Sequence, residues 1–281
     1  MIMSKRKYIE GLVSIIMPSY NSSRYISDSI KSILSQTYSN WELLITDDNS
    51  SDETVSIIES FSKSDSRIKL FALAKNRGAG YARNYSLSKS SGQYIAFCDS
   101  DDLWLSHKLC DQIDFMVKHK VHLVYSNYYT CDSDNKIQGF VKAKKRISRN
   151  DLLVDCGIGC LTGIYDASSF GISFLPEIRK RQDWAMWIDV ISKTKKAYLV
   201  NDYLAIYRKA SGSISSNKLK LLPYNFAVYN KVLNYSFFKS MIFLFFLFLP
   251  IYFYKLIKGK FLNLYTHNPY RGKNYELLLN Q

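Results

Sequence analysis

Short apolar runs alternate with amphipathic stretches through the first half of the chain. The runs have strand length and predict strands at Val13–Met17, Trp41–Thr46, Ile68–Leu73, Tyr94–Cys98 and Leu123–Tyr125. Apolar residues three or four positions apart predict helices at Arg24–Gln36, around Val55–Phe61, at Ala79–Lys89, at Ser106–His119 and, later, at Asp183–Ser192. Ser50 to Glu53 has the pattern of a capping box that opens the second helix.

This alternation of strands and helices predicts an α/β fold, with a mostly parallel sheet covered by helices on both faces. Ligands of such sheets bind beyond the carboxyl ends of the strands. Three polar segments follow predicted strands, and they are Pro18–Asn21, Asp47–Asp52 and Asp99–Asp102. The alternation weakens after residue 135, and the composition changes again near residue 216. We therefore divide the chain into segments 1–135, 136–215 and 216–281.

Positive charge is concentrated in the last segment. The 281 residues carry a net charge of +14, yet Glu276 is the single acidic residue after Tyr203. A basic protein favours an acidic partner, such as nucleic acid, an anionic lipid surface or a phosphorylated substrate. Nucleic-acid binding calls for Lys and Arg interleaved with exposed aromatic residues. Here an apolar run interrupts the basic segment and acidic clusters follow the strands, so we do not expect nucleic acid as the partner.

Five cysteines occur without a regular spacing, and the first residues do not form a secretory signal. We expect a reduced, cytosolic setting and structural roles for the cysteines. Cys156 and Cys160 would suit a metal pair, but no second pair follows them.

The strongest chemical signal is the acidic segment after the fourth strand. Asp99, Asp101 and Asp102 would repel one another unless a cation lay between them. Oxygen ligands of this kind suit Mg²⁺ or Mn²⁺, usually with substrate phosphates. A solvated loop that caps a helix would explain the same residues. Gly78-Ala-Gly80 lacks a third glycine and does not follow the first strand, so it does not indicate dinucleotide binding.

Five motifs in order resemble those of the family 2 glycosyltransferases, which have the GT-A fold. They span residues 12 to about 215 and are Val13–Asn21, Ile45–Asp52, Asn76–Asn84, Gly92–Asp102 and Arg181–Trp184. The resemblance implies a Rossmann-like sheet. Segment 1–135 would be the nucleotide-sugar-binding half, and segment 136–215 the acceptor-binding half. Segment 216–281 would be a basic, aromatic tail outside the family core, similar to tails of bacterial surface-polysaccharide (O-antigen or capsule) transferases.

The resemblance implies a donor site for a UDP-sugar. Tyr20 would pack against the uracil ring in a pocket that Pro18 also lines. Asp48 would accept a hydrogen bond from the base. Gly78, with the neighbouring Arg77, would let the backbone approach the nucleotide.

The resemblance also implies a metal site for Mn²⁺ or Mg²⁺ at Asp99-Ser100-Asp101. Asp101 would ligate the ion that bridges the two phosphates, and Asp99 would face the ribose or the metal. Ser100 belongs to the same nucleotide-sugar-binding set. Arg208 would contact a phosphate at the start of a closing loop that includes Ser211–Ser215.

Asp183 would be the general base, which removes the proton of an acceptor hydroxyl as that hydroxyl attacks the anomeric carbon. A single displacement inverts the stereochemistry. The family pattern has Glu-Asp here, and Gln182 replaces the Glu. Without the resemblance, the residues favour Asp183 as a helix N-cap before Trp184 over a general base.

The uncharged run Ser240–Tyr254 predicts contact with a membrane. At 15 residues, including Pro250, it is shorter than the ~20 that a spanning helix needs. Lysines on both sides suit an anionic leaflet, so we expect shallow or re-entrant insertion. A buried core helix or a contact within a homo-oligomer would explain the same run.

These observations predict a metal-dependent, inverting hexosyl or N-acetylhexosaminyl transferase at the cytoplasmic face of the bacterial inner membrane. Its acceptor would be a saccharide on a lipid diphosphate, in surface-glycan synthesis. A protein or soluble glycan acceptor is the alternative, and a lectin-like relative without turnover is another.

Overall fold

The computed structural model describes residues 6–209, 221–254 and 270–279. The strands in these ranges are β1 Ile9–Ser19, β2 Trp41–Asp47, β3 Ile68–Ala72, β4 Gly92–Phe97, β5 Leu103–Trp104, β6 Leu123–Asp132, β7 Ile137–Val141, β8 Arg146–Ser148, β9 Ile164–Asp166 and β10 Lys196–Lys209. They form one mixed sheet in the order β3-β2-β1-β4-β9-β6-β10-β5, with β7 paired to β6 and β8 to β10. The predicted α/β fold is confirmed.

Helices cover both faces of the sheet. Within the described ranges they are α1 Ile26–Leu34, α2 Thr54–Ser64, α3 Ala79–Lys89, α4 Lys108–His119, α5 Arg149–Val154, α6 Ala167–Phe170, α7 Gln182–Thr194, α8 Leu222–Ala227, α9 Phe237–Tyr254 and α10 Glu276–Leu279. The predicted bounds of α3 are confirmed at both ends. The other predicted helices differ by a few residues at their ends.

The first four strands of the fold are parallel, and β1, β2 and β4 are largely buried on both sides. β2 pairs with β1 and β3, and β1 pairs with β4, all in parallel. Val13, Ile15 and Met17 of β1 enter one apolar cluster, whereas Ile16 enters the other. Alternate side chains of a strand point to opposite faces. A continuous apolar run is therefore what a strand between two helical layers requires.

The predicted capping box at Ser50 is wrong. Helix α2 begins at Thr54, and the Ser50 amide and hydroxyl both donate to the Asp47 carboxylate. Asp52 supplies the local cap, because its carboxylate accepts from the Thr54 amide at 3.0 Å. The Asp47 carboxylate at the end of β2 is buried. It binds Ser50, the residue that the capping-box motif would have placed at the N-cap of α2.

The second half of the sheet was only partly predicted. β6 extends to Asp132, well beyond the predicted Tyr125, and β10 was not predicted at all. β9 lies between β4 and β6 and is antiparallel to both. Strands from segments 1–135 and 136–215 therefore share one sheet.

Helix α9 has one buried face and one exposed apolar face. It has 18 residues with a mean hydropathy of 1.8, which is long and apolar enough to cross a membrane by length and composition alone. Leu244 and Phe248 pack into the core, whereas Phe238 and Phe246 are 79% and 74% exposed.

Candidate active site

The carboxyl ends of β1, β2 and β4 bring the three polar segments together. The Asp48 amide donates to the Ser19 carbonyl at 2.8 Å, and the Ser19 hydroxyl donates to Asp47 at 2.9 Å. The Cys98 amide donates to the Ile16 carbonyl at 3.1 Å. Because these strands are parallel neighbours, their polar ends form one edge of the sheet.

Asp48 organises the loop that opens helix α3. Its carboxylate accepts from the amides of Arg77 and Gly78, each at 2.7 Å. Gly78 has φ +90°, a conformation that residues with side chains rarely adopt. The Arg77 guanidinium lies 3.6 Å from the centre of the Tyr81 ring. Asp48 therefore fixes the backbone that the sequence predicted to approach a nucleotide.

Pro18 and Tyr20 stand at the end of β1. Pro18 is buried, whereas the Tyr20 side chain is 52% exposed beside the ends of the strands. An exposed aromatic ring at this edge offers a surface on which a flat base can stack.

The acidic segment after β4 is tied to helix α1. The Ser100 hydroxyl is 2.8 Å from that of Ser22, and the Ser29 hydroxyl donates to the Ser100 carbonyl at 3.0 Å. The Asp102 amide closes a turn on the Asp99 carbonyl. The position of the acidic side chains is therefore set before any ligand binds.

Arg83 is a site residue that the sequence reasoning missed. It extends from α3, is largely buried, and donates to the Asp99 carboxylate at 2.6 Å. Asp99, Cys160 and Asp183 all raise the pKa of its guanidinium against the effect of burial. Arg83 therefore ties helix α3 to the acidic segment, and the charge of the predicted base Asp183 acts on it as well. Its position within the motif Asn76–Asn84 was the available signal.

Burial and mutual repulsion disfavour the ionised forms of the other two acids of this segment. Burial and the neighbouring Asp99 raise the pKa of Asp101 to about 6. Burial, Asp101 and Asp99 raise the pKa of Asp102 well above its usual range. Asp102 accepts from the Arg208 amide at 3.1 Å and is 2% exposed, which leaves Asp101 as the more accessible carboxylate. Closely spaced carboxylates of this kind fit Mg²⁺ or Mn²⁺, because a bound cation would favour their ionised forms.

Arg208 lies under the acidic segment and is 1% exposed. Its Nε donates to the Asp101 carbonyl at 2.9 Å, and its guanidinium also contacts Asn135. The rings of Tyr25 and Tyr275 lie over it, at 4.5 and 5.5 Å from ring centre to Cζ. In this arrangement Arg208 supports the backbone of the acidic segment and does not face the open edge.

The Asp183 carboxylate lies in the first turn of helix α7. The N-cap of this helix is Arg181 in a left-handed conformation, so Asp183 is not the N-cap. In the described part of the chain, its carboxylate has no hydrogen-bond or ion-pair partner. A partly exposed acid without a protein partner is free to accept a proton from a ligand.

Gln182 packs against the start of α3. A Cβ on Gly80 would lie 2.1 Å from the Gln182 side-chain nitrogen, so a larger residue at position 80 would displace this side chain. The residue that replaces the family's Glu therefore contacts the nucleotide-loop helix, one position before Asp183.

One further group of potential ligands lies elsewhere. Across residues 6–209, 221–254 and 270–279, three ligand atoms within 4.8 Å of one another occur at His107, Asp111 and Asp202. The predicted closing loop Ser211–Ser215 lies outside the described residues.

The sheet, its polar edge and the acidic segment define the class of protein, a glycosyltransferase with the GT-A fold. The sequence profile described as "Glycosyl transferase family 2" matches residues 14–171. The chain belongs to this family.

Similar proteins have names that concern bacterial glycans. The chain is 39% identical to the putative teichuronic acid biosynthesis glycosyltransferase TuaG of Bacillus subtilis, over 82% of this chain and 91% of TuaG. It is 43% identical to the UDP-Glc:alpha-D-GlcNAc-diphosphoundecaprenol beta-1,3-glucosyltransferase WfgD of Escherichia coli, over 75% of this chain and 82% of WfgD.

Solved structures share the fold at low sequence identity. S. aureus TarS 1-349 in complex with UDP-GlcNAc has a TM-score of 0.65 and 19% identity, over 83% of this chain and 70% of that chain. The longer S. aureus TarS chain is matched over only 43% of its length, with a TM-score of 0.61.

Proposed function

We propose that this protein transfers a hexosyl or N-acetylhexosaminyl group from a UDP-sugar to a hydroxyl of a saccharide on a lipid diphosphate, with inversion. The observation that carries the proposal is the Asp183 carboxylate, which has no hydrogen-bond or ion-pair partner among the described residues and is within electrostatic reach of Arg83. The names of the Escherichia coli relatives support the choice of donor and acceptor class.

The donor would bind where β1 and β2 end. The exposed Tyr20 ring would stack on the uracil above Pro18. The loop that Asp48 holds would present the Arg77 and Gly78 backbone to the nucleotide. The Asp48 carboxylate would also accept a hydrogen bond from the uracil, through its remaining lone pairs. Arg83 would keep Asp99 in its orientation.

Mn²⁺ or Mg²⁺, held by Asp101 and Asp99, would stabilise the charge that builds on the departing diphosphate. Asp183 would take the proton of the acceptor hydroxyl as the hydroxyl oxygen bonds to the anomeric carbon and the bond to the diphosphate breaks. Attack opposite the leaving group inverts that carbon. Arg208 would act indirectly, because its hydrogen bond to the Asp101 carbonyl holds the backbone of the acidic segment.

The acceptor class places the enzyme at a membrane. The exposed apolar face of α9 would rest in the cytoplasmic leaflet of the bacterial inner membrane, beside the lipid-linked acceptor. Helix α9 also packs on the core through Leu244 and Phe248. We therefore favour a helix that lies on the surface over one that crosses the bilayer.

The test is a transfer assay on the purified chain, with UDP-glucose or UDP-GlcNAc, Mn²⁺ or Mg²⁺, and a synthetic GlcNAc-diphosphate lipid. We expect formation of UDP and a β-linked disaccharide, and loss of both with EDTA. Binding of UDP-sugar without product from any acceptor would favour the lectin-like alternative. Transfer only to a protein or soluble glycan would change the acceptor class.

A further inference from the structure

The residues before helix α7 rest on helix α8, which belongs to segment 216–281. The Arg181 Nε donates to the side-chain oxygen of Asn225 at 2.8 Å. One residue earlier on each side, the Lys180 ammonium lies 5.4 Å from the centre of the Tyr224 ring. Asn225 is 1% exposed, although amide side chains are mostly found at the surface. A buried polar side chain that meets its partner holds the two elements in one specific arrangement.

Arg181 sets the start of helix α7. It is the N-cap residue, with φ +66°, and its carbonyl accepts from the Ala185 amide at 3.1 Å. Residues with a Cβ seldom adopt this left-handed conformation, so the surrounding contacts have to hold it. The hydrogen bond to Asn225 is such a contact. Asp183 follows two residues later, in the first turn of the helix, so its direction depends on the conformation of Arg181.

The two neighbours of Asp183 are held by different parts of the chain. Gln182 packs against Gly80 at the start of α3, in the nucleotide-sugar-binding half. Trp184 is fully buried, and its ring centre lies 5.7 Å from those of Tyr229 and Phe248 in segment 216–281. Segment 216–281 therefore contacts the turn that carries Asp183 both before and after this residue.

Resting on the proposed function, we propose that Asn225 is a positioning residue for the base: by holding Arg181, it directs the Asp183 carboxylate toward the acceptor hydroxyl. A general base acts only within hydrogen-bonding distance of the proton that it removes, so a small displacement slows the chemical step. Segment 216–281 then completes the active site, where the sequence predicted a tail outside the family core.

The first test is Asn225→Leu, which keeps a similar volume and removes the acceptor of the hydrogen bond. The assay uses UDP-glucose, Mn²⁺ and the synthetic GlcNAc-diphosphate lipid in neutral detergent. We expect kcat to fall roughly tenfold to a hundredfold, as for a displaced catalytic group. The donor KM, and the binding of UDP with Mn²⁺ measured by calorimetry, should not change. Asn225→Asp keeps an oxygen that accepts from Arg181, so it should retain most of the wild-type kcat.

The matched control is Tyr229→Phe in the same segment. The Tyr229 hydroxyl donates to the Leu153 carbonyl at 2.6 Å, so this variant also loses one buried hydrogen bond between segment 216–281 and the core. The urea midpoints of Tyr229→Phe and Asn225→Leu should both fall. Only Asn225→Leu should lose turnover, because Tyr229→Phe leaves the contact of Arg181 intact.

A second variant changes the other partner and does not depend on the folding of Asn225→Leu. Arg181→Lys keeps the positive charge but loses the Nε donor. Its kcat should fall by a similar factor. The double variant should fall no further than either single variant, since both changes remove the same contact.

The inference is overturned if Arg181→Lys retains the wild-type kcat, or if Asn225→Leu and Tyr229→Phe have equal kcat values. It is also overturned if Asn225→Asp is as slow as Asn225→Leu, because the acceptor oxygen is then not what matters. If the wild type forms no UDP with any acceptor, the proposed function fails, and the inference that rests on it fails as well.

Discussion

At the scale of single residues, Asp183 depends on the residues packed around it. Trp184 is fully buried behind it and donates from Nε1 to the Leu152 carbonyl at 2.6 Å. Asp183→Asn keeps this packing and removes the base. Transfer should therefore fall by roughly two to four orders of magnitude, as is typical for a positioned general base. UDP binding with Mn²⁺, measured by calorimetry, should persist.

The matched control is Asp189→Asn on the same helix. Asp189 is exposed and bound to Lys193 at 2.7 Å, so this variant should transfer at the wild-type rate. Near-normal transfer by Asp183→Asn would move the base elsewhere, with Glu177 next to test. An unfolded Asp183→Asn protein would mean that the residue is structural.

Asp48→Asn should weaken donor binding more than it slows the chemistry. An amide replaces one of the two oxygens that accept from the Arg77 and Gly78 amides, so the loop loses its anchor. The base of the donor is remote from the bond that breaks, and such uniform binding appears in the KM. The donor KM should rise about tenfold or more with a smaller change in kcat. Equal donor affinity of the variant and the wild type by calorimetry would refute the assignment.

The buried Lys108 leads to a prediction about how the free energy of unfolding depends on pH. Burial lowers its pKa to about 7, against the opposing effect of Cys98, and its ammonium contacts Gln112 and the Trp104 ring. The unfolded chain keeps this proton to about pH 10.4. Between these values the unfolded state binds more protons, so this residue makes stability rise with pH.

We therefore expect the free energy of unfolding of the wild type, relative to Lys108→Met, to increase from pH 7 to pH 8.5. The measurement is urea unfolding at both pH values. Lys118→Met, at an exposed position of the same helix, should keep the wild-type dependence. Parallel pH dependence of the wild type and Lys108→Met would contradict the lowered pKa.

The sequence predicted which types of residue form the site better than it predicted the contacts that those residues make. The acids after β4 stand where the pattern placed them, because a strand fixes the position of the residue that follows it. Arg208 was expected at a phosphate and lies instead under Tyr275, which is 67 residues further along the chain. Contacts this distant depend on the path of the last segment, and no local pattern encodes that path.

At the scale of elements, helix α9 has one face that packs on the core and stabilises the fold, and another that is exposed and can be changed without loss of stability. Phe248 is 5% exposed and packs 5.7 Å from the Trp184 ring, whereas Phe246 is 74% exposed. Phe248→Ala should lower the free energy of unfolding by roughly 3–5 kcal/mol, the usual cost of a large cavity. Phe246→Ala should leave it within about 0.5 kcal/mol. Equal urea midpoints for the two variants would show that α9 does not pack as described.

The same helix shows what periodicity can and cannot reveal. The run Ser240–Tyr254 is apolar on all sides, so its sequence does not distinguish the core-facing side from the exposed side. The structure separates them because α8 and α9 pack over Trp184. The missed strand β10 has a related cause. Its 14 residues mix buried and exposed positions and shift register against β6, which obscures a period of two.

At the scale of the whole molecule, the order of strands could be predicted only where the connections are local. β1 to β4 follow the alternation of strands and helices, and such units place consecutive strands near one another. β9 enters between β4 and β6 after strands β7 and β8 and helix α5 have intervened. Its three residues, Ile164–Asp166, carry no signal of their own. The second half of the sheet is formed by this later part, so the sequence could not outline it.

The polar edge of the sheet and the exposed face of α9 are formed by different residues, so lipid binding and transfer can be tested separately. Phe238→Ser with Phe246→Ser removes two side chains that are 79% and 74% exposed. Each Phe contributes roughly 1.5–3 kcal/mol when buried in an apolar medium. Binding to anionic vesicles should therefore fall at least tenfold, as measured by sedimentation at high salt. Folding should not change.

Activity should then depend on how the acceptor is presented. With a long-chain acceptor in vesicles, transfer by this double variant should fall in step with vesicle binding. With a short-chain, water-soluble acceptor it should match the wild type, because the polar edge of the sheet and Asp183 are intact. Phe174→Ser, which removes a 50% exposed Phe outside α9, should behave as the wild type in both assays. Unchanged vesicle binding by the double variant would exclude α9 as the membrane contact. An equal loss with both acceptors would mean instead that the exposed face shapes the site itself.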